Sequence, residues 1–343
     1  MTVTGGTSRF VSKKLRKLRW KPRTDSLQMS SDIFAIGTWD DESNEVSLWK
    51  TTNTGESQHL ETVQLKGDVT GLTWLTAEML AASTSAGTAS VFKLEQHKQL
   101  SGGNRQDWTD LHGHGGTTCL AAHGETIATA GEDGKINVMN VRQRNPVKVF
   151  DKADSCSIND ITFSRSTDIL TANMRGQMKL FDLRSNKQEA SSTYLLSNDQ
   201  VSITCLAKHP TQGHIVISGG ENGVLAVWDL RQGRHPTTIL AAHSAPISEV
   251  KFHPDQPDHV FTCSQNGELW HWNGSSIRTY TAGAAPSTAA SPWLSSEAVK
   301  HKVETTSLAT QQPLPINSVD VLGHAVLYGG DNEAFYILNN IVM

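Results

Sequence analysis

One device recurs along this chain and constrains its fold more than any other feature. A tight-turn position is followed, five residues later, by a large apolar residue on a strand of alternating polarity. The turn positions are Asn44, Gly87, Gly134, Gly176, Gly223, Gly267 and Glu333, and their apolar partners are Trp49, Phe92, Met139, Phe181, Trp228, Trp272 and Leu338. Successive turn positions lie 43, 47, 42, 47, 44 and 66 residues apart. A recurring unit of this kind cannot bury its apolar stripe alone, so neighbouring copies must stack against one another.

The best-formed copy is Gly219-Gly220-Glu221-Asn222-Gly223-Val224-Leu225-Ala226-Val227-Trp228-Asp229. A hairpin turn needs a residue that tolerates positive φ, which Gly does without a Cβ penalty. Asn44 is expected to meet that need in the first copy. In the last copy Glu333 stands where Gly is expected, and Asn332 is expected to take the strained conformation. The strand after the turn alternates faces. A second strand precedes each turn, as in Thr126–Ala130, Ile215–Ser218 and Val260–Ser264. A third precedes that one and often ends at a proline corner, as in Leu18–Pro22, Leu206–Pro210 and Val250–Pro254. Proline cannot donate to a ladder, so it marks the strand's end. A fourth, outer strand fits the remaining length. Four strands on a period of about 40–45 residues describe the blade of a β-propeller, and the copies number seven. The long last interval implies an insertion at about 274–300, rich in Ala, Ser, Thr and Gly and expected to be flexible. Within it Pro292-Trp293-Leu294 is expected to dock back on the ring. The whole chain, 1–343, reads as one such domain.

Too few residues follow Leu338 for an outer strand of the last blade, and an open blade edge is a liability. Residues Ser8–Lys14 are therefore expected to pair onto the last blade and close the ring. The basic run containing Arg9, Lys13, Lys14, Arg16, Lys17, Arg19, Lys21 and Arg23 then has a structural reading, in which Lys13, Lys17, Arg19 and Lys21 mostly face solvent or neighbouring strands; the other reading is a partner-binding or nucleic-acid patch. The chain's formal net charge is −4, so no domain-wide footprint for nucleic acid exists. No run of about eighteen apolar residues suggests a membrane span, and residues 1–30 lack the apolar core of a secretory signal. Cys119, Cys156, Cys205 and Cys263 are far apart and each reads as a small buried hydrophobe on a strand. No disulfide or zinc framework is expected.

Catalytic constellations are sparse. The chain has no Gly-x-x-x-x-Gly-Lys phosphate loop and no Gly-x-Ser-x-Gly elbow. His112, His114 and His123 are close in sequence, but corner histidines explain them better than metal ligands do. Asp40, Asp41, Glu42 and Glu45 read as a solvated turn. The expectation is a chain that is not an enzyme, with no cofactor and no small-molecule substrate.

Trp228-Asp229, with the degenerate Phe181-Asp182, Trp272-Asn273, Trp49-Lys50 and Met139-Asn140, resembles the repeats of the WD-repeat family. The structural positions of that repeat here are Trp49, Phe92, Gly134, Phe181, Gly223, Trp228, Asp229, Gly267 and Trp272. The resemblance implies an all-β, seven-bladed WD-repeat propeller. It also implies a Gly-His corner at Gly113-His114, and at His243 a hydrogen-bond network through Ser264 and Asn266 to Trp272. A narrower likeness runs from Phe10 to about Tyr336. Its segments are Phe10–Lys14, Arg19-Trp20-Lys21-Pro22, Ile36–Asp40, Gly131–Asn137, Phe261–Ser264 with Leu269-Trp270-His271-Trp272, and Ser318–Gly323. These resemble the WD-repeat nucleoporins of the Y-shaped outer-ring complex of the nuclear pore. That likeness implies a non-catalytic scaffold subunit at the nuclear envelope, supporting nucleocytoplasmic transport and pore assembly, with a kinetochore role in mitosis. The implied partners are other outer-ring nucleoporins, chiefly an α-solenoid scaffold nucleoporin of the short arm. A second reading takes Trp228-Asp229-Leu230-Arg231, and less closely Phe181-Asp182-Leu183-Arg184, as the adaptor box of a cullin-RING substrate receptor, with Arg231 and Arg184 as contacts.

Overall fold

A computed structural model describes residues 6–23, 32–52, 56–94, 100–113, 115–197, 200–275, 291–294 and 303–341. The described residues form seven four-stranded antiparallel sheets. The innermost strands are Leu15–Trp20, Val69–Thr76, Thr117–His123, Ile158–Arg165, Ile203–Lys208, Ile247–Phe252 and Ile316–Leu322, one in each of blades 1 to 7. Each lies beside the next, and the last lies beside the first, so the blades make a closed ring. The turn-plus-strand device forms the third strand of each blade, as Val224–Asp229 does in blade 5.

Apolar residues of both sheet faces are buried, because every blade is sandwiched between two others. Seven hydrophobic clusters result, each shared by two adjacent blades. Trp228, for example, packs with Leu170, Met178 and Ile203 between blades 4 and 5. Phe92 lies with Ile33 and Leu48 between blades 1 and 2, and Phe181 with Phe150 and Ile136 between blades 3 and 4. Trp272 joins the cluster between blades 5 and 6. Full burial of one such side chain is worth about 2–3 kcal/mol, so the large residues at the repeat's fifth position carry much of the inter-blade adhesion.

The ring closes through the N-terminal segment. Gly6–Phe10 pairs antiparallel with Ala334–Leu338 as the outer strand of blade 7. This strand is shorter than the expected Ser8–Lys14, because Ser12 takes φ 65° and turns the chain toward the innermost strand of blade 1. The Val11 N–H donates to the Glu333 carbonyl at 2.8 Å, which fixes the corner. The cluster between blades 7 and 1 contains Leu15, Leu18, Trp49, Phe335 and Ile337, so closure is apolar as well as hydrogen-bonded.

Several expectations are corrected. Glu333, not Asn332, adopts positive φ (57°). That position is set by ladder register, the one Gly223 occupies at φ 77°, and whichever residue stands there must comply. Asn332 instead donates from Nδ2 to the Tyr336 hydroxyl at 2.9 Å. In blade 1 the turn is longer, Asp40 takes φ 56°, and Asn44 begins the third strand with its amide bound to Asp41 O and Asp68 Oδ1, both at 2.9 Å. Cys156 is not on a strand. It lies half-buried in the loop before Ile158, whereas Cys119, Cys205 and Cys263 are buried strand residues, and all four are free thiols. The proposed insertion lies between the third strand of blade 6, Leu269–Asn273, and its outer strand, Glu304–Ser307. Residues 276–290 and 295–302, on which the expectation of flexibility falls, are outside the described residues. Pro292–Leu294 does dock back as one 3-10 turn. Trp293 is buried against Phe252 and donates from Nε1 to the Pro257 carbonyl at 2.9 Å.

Candidate functional site

The chemistry of a ring concentrates at its axis. Every innermost strand carries a register shift at the same place. A bulge re-aims the extra side chain, and the residue carried there is polar in all seven blades: Arg16, Thr70, Thr118, Asn159, Thr204, Ser248 and Asn317. Four of them tie one blade to the next. Thr118 Oγ1 donates to Ile158 O at 2.5 Å and Thr204 Oγ1 to Ile247 O at 2.6 Å. Asn159 Nδ2 donates to Ile203 O and Asn317 Nδ2 to Leu15 O, each at 2.9 Å. All four acceptors sit one residue before the next blade's bulge, so the tie repeats with the fold.

One residue further on, charge enters the channel. Glu249 accepts from Arg19 Nη2 at 2.5 Å, Lys17 Nζ at 3.2 Å, Ser318 Oγ at 2.7 Å and Val319 N at 3.1 Å. Burial alone would raise its pKa, but Arg19, Lys17 and Lys251 outweigh that and hold it well below the usual carboxylate range. Asp160 accepts from Leu206 N at 2.6 Å, and Asp320 from Trp20 N at 2.7 Å. Burial pushes both of these carboxyls upward in spite of nearby Lys17 and Lys251. Each acid thus spans two blades and spends its lone pairs on structure. A repeated apolar–polar–x–apolar signal marks this layer in sequence (Ile158-Asn159-Asp160-Ile161, Ile247-Ser248-Glu249-Val250), but it emerges only when innermost strands are aligned on their bulges.

The basic run is absorbed by the ring. Lys13 pairs with Glu45, Lys14 with Asp40 and Arg23 with Asp255. Lys17 and Arg19 are mostly buried and reach past the innermost strand of blade 7 to Glu249 of blade 6, rather than facing solvent.

The corner histidines differ from expectation. His114 lies outside the described residues, and His112 fills the corner instead, with Nδ1 3.0 Å from Asp133 and Nε2 3.0 Å from Thr129 Oγ1. His243 makes the same pair of contacts, to Glu268 at 2.9 Å and Thr262 Oγ1 at 2.8 Å. Trp272 Nε1 donates to that same Thr262 hydroxyl at 2.9 Å. The network therefore runs through Thr262, which points inward on the second strand. Asn266 accepts from the Ser264 hydroxyl and donates to Ser244 Oγ at 2.9 Å, so these two residues pair with each other beside the His243–Thr262–Trp272 network rather than within it. Burial pushes the pKa of both histidines down, against the pull of their acidic partners. Among the described residues no group of His, Cys, Asp or Glu is arranged to hold a metal.

The remaining repeat residues are structural in geometry. Trp228 Nε1 donates to Ser218 Oγ at 2.9 Å, and Trp49 Nε1 to Ser47 Oγ at 2.9 Å. Gly134, Gly223 and Gly267 all have positive φ. At Gly223 an added Cβ would also run into the His243 carbonyl. Arg231 folds back on Asp229 at 2.7 Å and Arg184 on Asp182 at 3.0 Å, as rim ion pairs.

Comparison with known proteins agrees with the ring. The family model described as WD domain, G-beta repeat, matches residues 106–140, 191–229 and 234–273. Each match runs from the outer strand of one blade through the third strand of the next, so the sequence repeat is offset from the structural blade. Nucleoporin Nup43 of Homo sapiens is 35% identical over 374 aligned positions, covering 97% of this chain and 98% of the relative. Nucleoporin Nup43 of Mus musculus gives the same identity and coverage. A nuclear pore complex protein NUP43 of Arabidopsis thaliana is 24% identical over 170 positions, 43% of this chain. With a seven-bladed ring and near-full-length identity of this degree, the chain belongs to the Nup43 family of WD-repeat nucleoporins.

Proposed function

We propose that this chain is a non-catalytic scaffold subunit of the Y-shaped outer-ring complex of the nuclear pore. One observation carries the reading: 35% identity to human and mouse Nup43 across 97% of the chain. The geometry is compatible, because the buried acids of the channel are bound to backbone N–H groups and cations that knit blades together. A rigid ring is suited to holding other subunits at fixed positions. Its partners are other outer-ring nucleoporins, chiefly an α-solenoid nucleoporin of the short arm, and its places of work are the nuclear envelope and, in mitosis, the kinetochore.

The test is affinity purification of the tagged full-length chain from cell extract in moderate salt, with mass spectrometry of what remains bound. Stoichiometric outer-ring nucleoporins support the assignment, and recovery of a cullin adaptor without them overturns it. Arg231→Ala, alone or with Arg184→Ala, is expected to leave nucleoporin recovery unchanged, since each guanidinium is spent on its own blade's Asp.

A further inference from the structure

Three of the seven bulge residues make no inter-blade tie to a carbonyl: Arg16, Thr70 and Ser248. They line one funnel, a mouth of 420 Å³ whose walls include Trp39, Asn159 and Gln265. Below it the channel continues as a second space of 210 Å³ that shares Arg16, Thr70 and Ser248. The guanidinium of Arg16 lies 4.9 Å from the Trp39 ring centroid. Trp39 is itself held by its Nε1 donating to Asp331 Oδ1 at 3.1 Å. Lys13, Lys14, Lys17, Arg19 and Arg23 of the same run all have a carboxylate partner. Among the described residues Arg16 has none, and its donors meet no hydrogen-bond acceptor. Ser248 Oγ is buried and also without a partner.

The nearby acids do not fill this gap. Asp68 is occupied by Asp40 N and Asn44 Nδ2, both at 2.9 Å. Asp331 holds Trp39 and Asn317, and Glu249 holds Arg19 and Lys17. An arginine stays protonated even when partly desolvated, so the funnel wall presents a fixed cation with an unused planar fork. A carboxylate fits that fork in bidentate fashion. Asp68 and the exposed Glu132 also line the mouth, and around it the same face is acidic: Asp40, Asp41, Glu42, Asp110 and Glu221 are exposed on its turns and loops. Such a rim repels a uniformly acidic ligand and attracts cationic flanks.

We propose that the mouth of the central channel binds a peptide segment that inserts one carboxylate side chain toward Arg16 and Ser248, with basic residues on either side. The site is independent of the assembly reading, and the experiment uses the isolated full-length chain. The probe is a fluorescein-labelled nonapeptide of Gly and Ser around a Lys-Lys-Glu-Lys-Lys core, compared by anisotropy with the same peptide carrying Gln for Glu. At 50 mM salt the Glu peptide is expected to bind at least tenfold more tightly. Arg16→Met is expected to abolish that preference without changing the thermal midpoint. Ser248→Leu, which narrows the funnel and keeps the cation, is expected to weaken the Glu peptide by a similar factor, and it serves as the test if Arg16→Met does not fold. Equal binding of the two peptides, binding by neither, or a preference that survives in either folded variant overturns the proposal.

Discussion

Glu249 is the residue on which most of the axial charge converges, and it makes the sharpest single-residue prediction. Replacing it by Gln takes from Arg19, Lys17 and Lys251 the one carboxylate that all three share, and leaves Asp160 and Asp320 as the acids nearest to them. Breaking a buried pair from one side costs about 3–5 kcal/mol, so urea unfolding of Glu249→Gln should show a loss of that order. An unchanged midpoint would show that the cations relax into the channel water instead. The sign of its pH dependence follows from its depressed pKa. The stabilisation is complete above the ordinary glutamate value of about 4.3 and is lost as pH falls through the lower folded value. His271 acts in a different window. Burial, with help from His259 and His253, brings its pKa down from 6.5 to about 4. Below pH 6.5 the unfolded chain takes up a proton that the folded chain refuses, so stability declines between pH 6.5 and 4 and then levels. The full shift corresponds to about 3 kcal/mol. Thermal midpoints measured across that range should fall in the native chain and fall less in His271→Gln; parallel slopes would assign the effect to other histidines.

At the scale of elements, the decisive one is the N-terminal strand. It contributes five residues of ladder to blade 7, and among the described residues no other strand pairs with that edge of Ala334–Leu338. A chain lacking residues 1–14 exposes the edge of Ala334–Leu338 and loses the corner hydrogen bond to Glu333. Its thermal midpoint should drop by several degrees or more, and it should self-associate through the open edge. A truncated chain with the native midpoint would mean that the apolar cluster between blades 7 and 1 closes the ring alone. The insertion gives a second lesson at this scale. Its small polar composition told against a packed core, yet Trp293 within it is buried, because an indole needs both an apolar wall and an acceptor, and Phe252 and the Pro257 carbonyl supply them.

For the whole molecule, the arrangement of the core makes a prediction about cooperativity. Each hydrophobic cluster belongs to two blades, and the polar ties at the axis also run from blade to blade. No blade can be removed without opening two interfaces. Far-UV circular dichroism, tryptophan fluorescence and calorimetry should therefore report a single coincident transition for the intact ring. Separated transitions would show that blades melt in groups.

The sequence by itself determined the number of blades, their third strands and the route of closure. Those properties are local and periodic: a turn that needs positive φ and a large apolar residue five positions later leave marks within a few residues. It also carried the family likeness, because Trp270-His271-Trp272 and similar segments are contiguous. Only the tertiary structure decided which polar residues meet at the axis. Glu249 and Arg19 are 230 residues apart, and neither stands out from an ordinary strand charge until the ring brings the innermost strands side by side. The same holds for Arg16, whose unpaired fork is a property of what surrounds it, and for the corner network, where the inward strand position of Thr262 selected the partner of His243. Electrostatic environment depends on burial and on neighbours distant along the chain, and these are assigned when the ring closes.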